Sequence, residues 1–263
     1  PFSIKTLYLI IIFALSYSIV PILYKLGFGY DGFIHRVAEE WIQNNGFIGP
    51  KHPFYIGQYS LLVWFSSITA IPLFFLDIFY VPLLASTLLP LTLLYTFKKT
   101  TTYSESKALK YSLLPLVFYF LPFHLTTPHN VVLVLLFISI FLIYVYIKEK
   151  IPFWVPLSTI LISVLTHPLL GAPLILFFCA IVIGKQIKNE KFFHALSFLY
   201  IIGIALLFPI LFGINNYLSG YGFPNFGNPL LGFPKFSALF ARPYWFTQDT
   251  GFLLDTLYHI QYA

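Results

Sequence analysis

The stretch GYDGFIHRVAEEWIQNNG, Gly29–Gly46, decides the fold because it is a polar segment between two strongly apolar blocks. Its apolar residues recur at spacings of three and four, which predicts an amphipathic helix from Asp31 to Asn45. Asp31 is expected at the N-cap and Gly46 just after the C-terminus. A helix of this kind is typical of a segment that lies flat on a membrane surface, so we predict an outer juxtamembrane helix.

The two faces of this helix predict how it is oriented. An apolar stripe is expected to face the membrane, and it consists of Phe33, Ile34, Val37, Ala38, Trp41 and Ile42. The opposite face is expected in water, and it carries His35, Arg36, Glu39, Glu40, Gln43 and Asn44. Glu39 and Glu40 are therefore predicted to be solvated charges.

The composition of the whole chain indicates a membrane protein. Its 263 residues are 59% hydrophobic and only 9% charged, whereas about 25% charged residues is usual in soluble domains. Apolar stretches of about 20 residues recur along the chain, which predicts an all-α, polytopic protein rather than a barrel of short strands. The net charge of +6 is spread over short lysine clusters and indicates no nucleic-acid partner. The single cysteine, Cys179, leaves no disulfide within the chain.

The eight apolar blocks predict the spans. They are Ile4–Leu26, Phe54–Leu76, Ile78–Phe97, Tyr111–Phe123, Val131–Ile147, Ile151–Thr166, Pro168–Gly184 and Phe193–Phe212. Of these, Phe54–Leu76 is ambiguous, because it either crosses the membrane or lies along the outer interface. Tyr111–Phe123 is short for a span, so we expect its helix to begin near Ser106 and to run to about His124.

Lysine and arginine placement resolves this ambiguity. If Phe54–Leu76 does not cross, ten of the 15 cationic residues lie on the cytoplasmic side. If it crosses, nine of those ten move outside, against the positive-inside rule. We predict about seven transmembrane helices with a cytoplasmic N-terminus, and an interfacial or re-entrant Phe54–Leu76.

The domain organisation is predicted to be simple. Residues 1–263 are expected to form a single transmembrane domain, and residues 214–255 a long outer loop rich in glycine, proline and aromatic residues. The chain has no methionine and ends within an apolar pattern. We therefore expect it to be the N-terminal part of a longer protein.

Titratable residues gather on the predicted outer side, so the site is expected there. Asp31 suits a general base or a metal ligand, although an N-cap acid is the alternative. His35 follows one helical turn later and suits proton transfer, although a solvated face explains it equally. His124, His129 and His167 lie at the outer ends of predicted spans, where capping of helix ends is the alternative to ligand binding.

Cations on the same side are candidates for binding a phosphate. They are Arg36, Lys51 and Arg242. The alternative is that these side chains extend to lipid headgroups without any further role.

The order of these parts resembles the class C (GT-C fold) membrane glycosyltransferases. The resemblance rests on YDGFIHRVAEEWIQNNGF, which is followed by PFYIGQYSLL and then by helices paired through short basic turns. The order of helices and loops resembles the family over roughly Tyr8 to Gly184. A sequence motif is shared only over Asp31 to Phe47. The second outer loop carries His124 and His129 where many members have a second aspartate, and the soluble C-terminal domain of several members is missing.

The resemblance implies a sugar donor on a polyprenyl phosphate, reached from the lipid bilayer, and transfer on the outer face. Asp31 matches the acid that serves as base or metal ligand in that family, and His35 would assist it. Lys51, Arg242 and His167 would bind the donor. A divalent metal (Mg, Mn or Zn) would be held by Asp31, His124 and His129.

Two rival functions remain open at this point. The chain could be a non-catalytic subunit that keeps the fold within a larger membrane complex. It could also be a lipid or solute transporter, although inverted repeats with broken helices at mid-membrane are not evident.

Overall fold

The computed structural model describes residues 3–24, 30–48, 55–117 and 121–185, with scattered positions between 187 and 217. These residues are helical and include no β-strand, as the all-α prediction requires. The helices are α1 (Ile4–Tyr24), α2 (Tyr30–Asn45), α3 (Ile56–Thr69), α4 (Leu73–Thr100), α5 (Glu105–Ser112), α6 (Leu114–Val117), α7 (Pro128–Ile147), α8 (Trp154–Thr166) and α9 (Pro168–Gly184), with a 3-10 turn at Leu121–His124.

The chain divides into two compact units, Pro1–Phe208 and Pro209–Ala263. The helices listed above belong to the first unit. In the second unit the few described residues are helical, and nearly all of the predicted outer loop 214–255 lies outside the described residues.

The longer helices of the first unit run back and forth between two ends. At one end, which we call the lysine end, Ser3 Oγ donates to Glu105 Oε1 at 3.4 Å and Lys185 Nζ lies 3.2 Å from Glu149 Oε1. Eight lysines of the described residues belong to this end: Lys5, Lys98, Lys99, Lys107, Lys110, Lys148, Lys150 and Lys185. At the opposite end, which we call the polar end, α4, α7 and α9 begin, α8 ends, and α2 and α3 pack together.

Four-residue repeats build the core between these ends. Leu9, Phe13 and Tyr17 of α1 are buried, and so are Val81, Ala85, Leu89 and Leu93 of α4. A spacing of four keeps such side chains on one ridge of a helix, and ridges of this kind pack into the grooves of a neighbour. Helix α7 closes the cluster, and a second cluster joins it to α8 and α9. The core therefore fixes α4, α7, α8 and α9, on which α2 and α3 pack at the polar end.

Three helices are long and apolar enough to cross a membrane. They cover Ile4–Leu23, Leu73–Thr100 and Pro128–Ile147. Helices α8 and α9 are apolar but shorter, with 13 and 17 residues. Three of the predicted seven spans are thus long enough by themselves, and the remaining ones are not confirmed.

The two segments with unusual predictions have different outcomes. In Phe54–Leu76, helix α3 has only 14 residues, about 21 Å of rise against about 30 Å of membrane core. The predicted segment is not one element, because Leu73–Leu76 begin α4, and the interfacial placement of α3 stays a prediction. The helix expected from Ser106 to about His124 begins at Glu105 and its last helical residue is His124, as predicted, but it is interrupted at Leu113 between α5 and α6 and ends in a 3-10 turn. Pro115 and Pro122 lack the amide hydrogens that a continuous helix needs.

A proline in α4 ties the polar end together. Pro82 cannot donate to the Ile78 carbonyl, which would be its partner in a regular helix. Thr126 Oγ1 lies 3.5 Å from that carbonyl and accepts from the Val81 amide at 3.2 Å. The segment before α7 is therefore anchored on α4, next to Asp77.

Candidate functional site

Helix α2 begins one residue earlier than predicted, at Tyr30, and ends at Asn45 as expected. The apolar stripe mostly faces away from the other helices, which is compatible with the predicted membrane contact, whereas part of the face predicted to lie in water is buried. His35, Ala38 and Glu39 are buried, whereas Phe33, Val37 and Trp41 of the apolar stripe are 41–51% exposed. Glu39 is therefore not a solvated charge, although Glu40 is exposed as predicted. His35, Arg36 and Glu39 of the polar face pack inward, because other helices carry polar partners for them, whereas Gln43 and Asn44 are exposed.

The first of these partners is Asp77, in the first turns of α4. Arg36 Nε donates to Asp77 Oδ2 at 2.8 Å, and the side chains are only 12% and 3% exposed. The guanidinium also lies over the rings of Phe33 and Phe74, at 5.4 and 4.6 Å. Removing both charges from water costs free energy that their attraction offsets only in part, so this ion pair is weak evidence of a role in stability.

The second partner is Gln58 of α3. Gln58 Nε2 donates to Glu39 Oε1 at 3.1 Å, and both side chains are fully buried. Burial, reinforced by the negative charge of Asp77, raises the pKa of Glu39 well above its usual range. A positive charge beside Glu39 would favour its ionised form, and a negative charge would favour its protonated form.

Histidine and tyrosine rings form the other half of the polar end. His35 Nδ1 lies 2.6 Å from the Tyr59 hydroxyl, and the His35 ring is 5.4 Å from that of Tyr55. Tyr55 in turn lies 5.1 Å from His167, which lies 5.9 Å from His129. Three of the predicted histidines are thereby brought into one continuous group.

The backbone around Thr166-His167-Pro168 explains why His167 is fixed. A residue before proline favours an extended conformation, and His167 has φ −152° and ψ 91°. Its amide donates to the Ser163 carbonyl, and its own carbonyl accepts from Gly171. The residue therefore ends α8 and begins α9. Burial, together with nearby His129, lowers the pKa of His167 to about 4, so the ring is neutral near pH 7.

A glycine allows α3 to come close enough to complete the group. A side chain at Gly57 would place its Cβ 2.6 Å from the carbonyl carbon of Leu165 and 2.9 Å from the Thr166 amide nitrogen. No side chain fits there, so α3 rests directly on the end of α8. This contact positions Tyr55, Gln58 and Tyr59.

The remaining predicted site residues have separate outcomes. Asp31 lies in α2 one turn before His35, inside the helix rather than at its N-cap. Lys51 and Arg242 lie outside the described residues. His124 Nδ1 donates to the Tyr17 carbonyl at 2.9 Å and packs against the Tyr17 ring, so it is engaged with α1.

The metal prediction receives no support from the described residues. Among them, no group of three His, Cys, Asp or Glu side chains is placed to hold a metal ion. Asp77 is engaged with Arg36, and His124 with Tyr17. The predicted ligand set of Asp31, His124 and His129 stays a prediction, because the side chain of Asp31 lies outside the described residues.

Sequence reasoning did not single out Glu39, Gln58 or Asp77. A signal for two of them was present, because Gln58 and Asp77 are isolated polar residues within apolar runs. Ionisable residues in such surroundings are functional candidates. Glu39 had no comparable signal, since a glutamate on the polar side of an amphipathic helix is ordinarily solvated.

Comparison of the chain with protein-family models, with curated proteins and with solved structures gives no match. The chemistry of the polar end therefore has to be derived from its own residues. They provide two buried carboxyl groups, one buried guanidinium and two buried imidazoles, which suit binding of a polar ligand and proton transfer.

Proposed function

We propose that this protein is a multi-pass membrane glycosyltransferase of the GT-C type. It moves a sugar from a polyprenyl-phosphate donor to an acceptor on the extracytoplasmic face. About seven spans cross the cell membrane, the N-terminus is cytoplasmic, and the polar end opens outward. The observation that carries the proposal is the buried group of acids, arginine and histidines at one end of apolar helices.

The cost of burying these groups supports a functional role. A charged side chain in an apolar interior costs several kcal/mol unless it is paired (about 2.5–3.5 kcal/mol on insertion scales). Packing alone would be served better by apolar side chains of similar size. The polar end nevertheless places Arg36, Glu39 and Asp77 together, with His35 and His167 close by.

The distribution of cations supports the proposed sidedness. Eight lysines of the described residues lie at the lysine end, whereas the polar end has Arg36 as its described cation. Lysine-rich ends of membrane proteins usually face the cytoplasm. In the proposed topology the polar end therefore faces outward.

Transfer requires a base and a cation, and Asp31 of helix α2 is the residue proposed as the base. The acceptor hydroxyl gives its proton to Asp31, and the acceptor oxygen forms the new bond to the anomeric carbon. The bond from that carbon to the phosphate oxygen breaks, and its electron pair leaves on the lipid phosphate. Arg36 is engaged with Asp77, so Lys51 and Arg242 are the residues proposed to stabilise the leaving phosphate.

The test is an assay that does not depend on knowing the acceptor. Membranes containing the full chain are incubated with a panel of polyprenyl-phosphate sugars, and the released polyprenyl phosphate is measured. Asp31→Asn is expected to lower release by about 100-fold or more, the usual effect of losing a general base. Glu40→Gln, an exposed carboxylate on the same helix, is the control and should keep wild-type activity.

Two results would reject the proposal. One is a folded Asp31→Asn variant that releases polyprenyl phosphate as fast as the wild type. The other is a wild-type protein that releases none from any donor of the panel. The second result would favour the non-catalytic subunit or the transporter.

A further inference from the structure

The polar end contains an excess of buried hydrogen-bond acceptors. Glu39 Oε2, Gln58 Oε1 and Asp77 Oδ1 are buried and receive no hydrogen bond from the residues that the structure describes. Their side chains are 0–2% exposed. The other oxygen of each carboxylate already has its donor, Gln58 Nε2 or Arg36 Nε. What is lacking is a group that donates several hydrogen bonds at once.

The charges around these acceptors balance only while Glu39 is protonated. Arg36 and Glu39 are three residues apart on α2, so their side chains lie on the same side of the helix. Asp77 pairs with this arginine, which places two carboxylates around one guanidinium. Ionised, the three groups leave one negative charge in surroundings where an uncompensated charge is expensive.

One chemical group matches both the acceptors and the charge. A primary ammonium carries a single positive charge and three N–H donors on one atom. A neutral polyol offers donors without the charge, and a quaternary ammonium offers the charge without donors.

We propose that the polar end binds a primary ammonium group through Glu39 Oε2, Gln58 Oε1 and Asp77 Oδ1. An amino sugar or the ethanolamine phosphate headgroup of a membrane lipid would supply it. This binding goes beyond the proposed function, because it would persist in a protein that transfers no sugar.

The experiment uses the full chain in nanodiscs of phosphatidylcholine, a lipid without a primary amine. Thermal unfolding is followed during titration with two matched pairs: glucosamine against glucose, and phosphoethanolamine against phosphocholine. Saturable stabilisation by glucosamine, by phosphoethanolamine or by both is expected, with no response to the partner that lacks the primary ammonium. The member that binds more tightly identifies the source, and sodium chloride at equal ionic strength is the salt control.

Variants locate the binding. Glu39→Gln is expected to weaken the affinity by about tenfold or more, since it removes a charge-assisted hydrogen bond. Glu40→Gln should change it by no more than about fivefold, the size of a screened surface interaction. If Glu39→Gln does not fold, Gln58→Leu tests the same contact without changing the charge.

Several outcomes would overturn this inference. They are stabilisation by glucose or phosphocholine as large as that by the matched primary amine, a response to sodium chloride alone, or no response to either primary amine. Equal weakening by Glu39→Gln and Glu40→Gln would also overturn it. None of these results bears on release of polyprenyl phosphate, so failure of this inference is distinct from failure of the proposed transferase activity.

Discussion

At the scale of single residues, burial determines the chemistry of the polar end. Glu39 and His167 are both removed from water, and in each case burial stabilises the neutral form relative to the charged form. The pKa of Glu39 therefore rises, and that of His167 falls to about 4. Because the two shifts have opposite signs, stability depends on pH in opposite ways at the two residues.

These shifts predict the pH dependence of unfolding. The folded state holds the Glu39 proton more tightly than the unfolded state, so this contribution is present at low pH. It is lost as pH rises from about 4.5 through the raised pKa. For His167 the unfolded state takes up the proton first, so stability is lost as pH falls from about 6.5 to about 4.

Thermal unfolding of the purified protein across pH checks both signs. The advantage of Glu39→Gln over the wild type should grow as pH rises, because the amide cannot ionise. In His167→Gln, the loss of stability on acidification should be smaller than in the wild type. An advantage of Glu39→Gln that shrinks with rising pH would contradict the burial of that carboxyl group.

The residues of the polar end were only partly predictable. His35, His124, His129 and His167 were expected at one site, and Tyr55 and His167 provide the contacts that join three of them, whereas His124 contacts α1. Glu39 could not be predicted, because a helical pattern separates a polar from an apolar face without showing which one packs inward. That choice depends on Gln58 and Asp77, which are distant in sequence.

At the scale of helices, local rules predicted most boundaries. The limits of α2 follow from its period and from Gly46, which has φ +76° just after the helix. Helix α7 follows Thr127, whose Oγ1 accepts from the Asn130 amide. The break at Leu113 was missed, because an apolar run shows no helical period and so hides the effect of Pro115.

The contact between α3 and α8 gives a prediction at this scale. Gly57→Ala places a Cβ against the backbone of Leu165 and Thr166, so α3 must move away from α8. We expect the free energy of unfolding to fall by about 1–3 kcal/mol, the usual cost of overpacking. Binding at the polar end should weaken as well, because Gln58 and Tyr59 move with α3.

The control for this prediction is Gly203→Ala. A Cβ at Gly203 meets no atom within 4 Å, so alanine should be neutral or mildly stabilising in this helical segment. Chemical denaturation of both variants in detergent provides the comparison. Equal stability of Gly57→Ala and Gly203→Ala would show that α3 is not in close contact with α8.

At the scale of the whole molecule, the fold class and the topology were predicted from apolar composition and from the placement of lysines. They predicted helices and a separation of lysines from histidines, and both are found among the residues that the structure describes. The number of spans could not be predicted from apolar blocks alone, because α8 and α9 are apolar but shorter than the roughly 20 residues that a span needs. Sidedness stays a prediction, since helix geometry is the same in either orientation.

The central claim is that the polar end opens on the outer face of the cell membrane. Cysteine labelling in intact cells tests it, and the cysteines are introduced into a Cys179→Ser variant so that the native thiol does not react. Glu40→Cys places a thiol at an exposed position of the polar end, and Lys150→Cys places one at an exposed position of the lysine end. A membrane-impermeant maleimide should label Glu40→Cys in intact cells and Lys150→Cys only after permeabilisation. Labelling of Lys150→Cys in intact cells, with Glu40→Cys protected until permeabilisation, would contradict the claim.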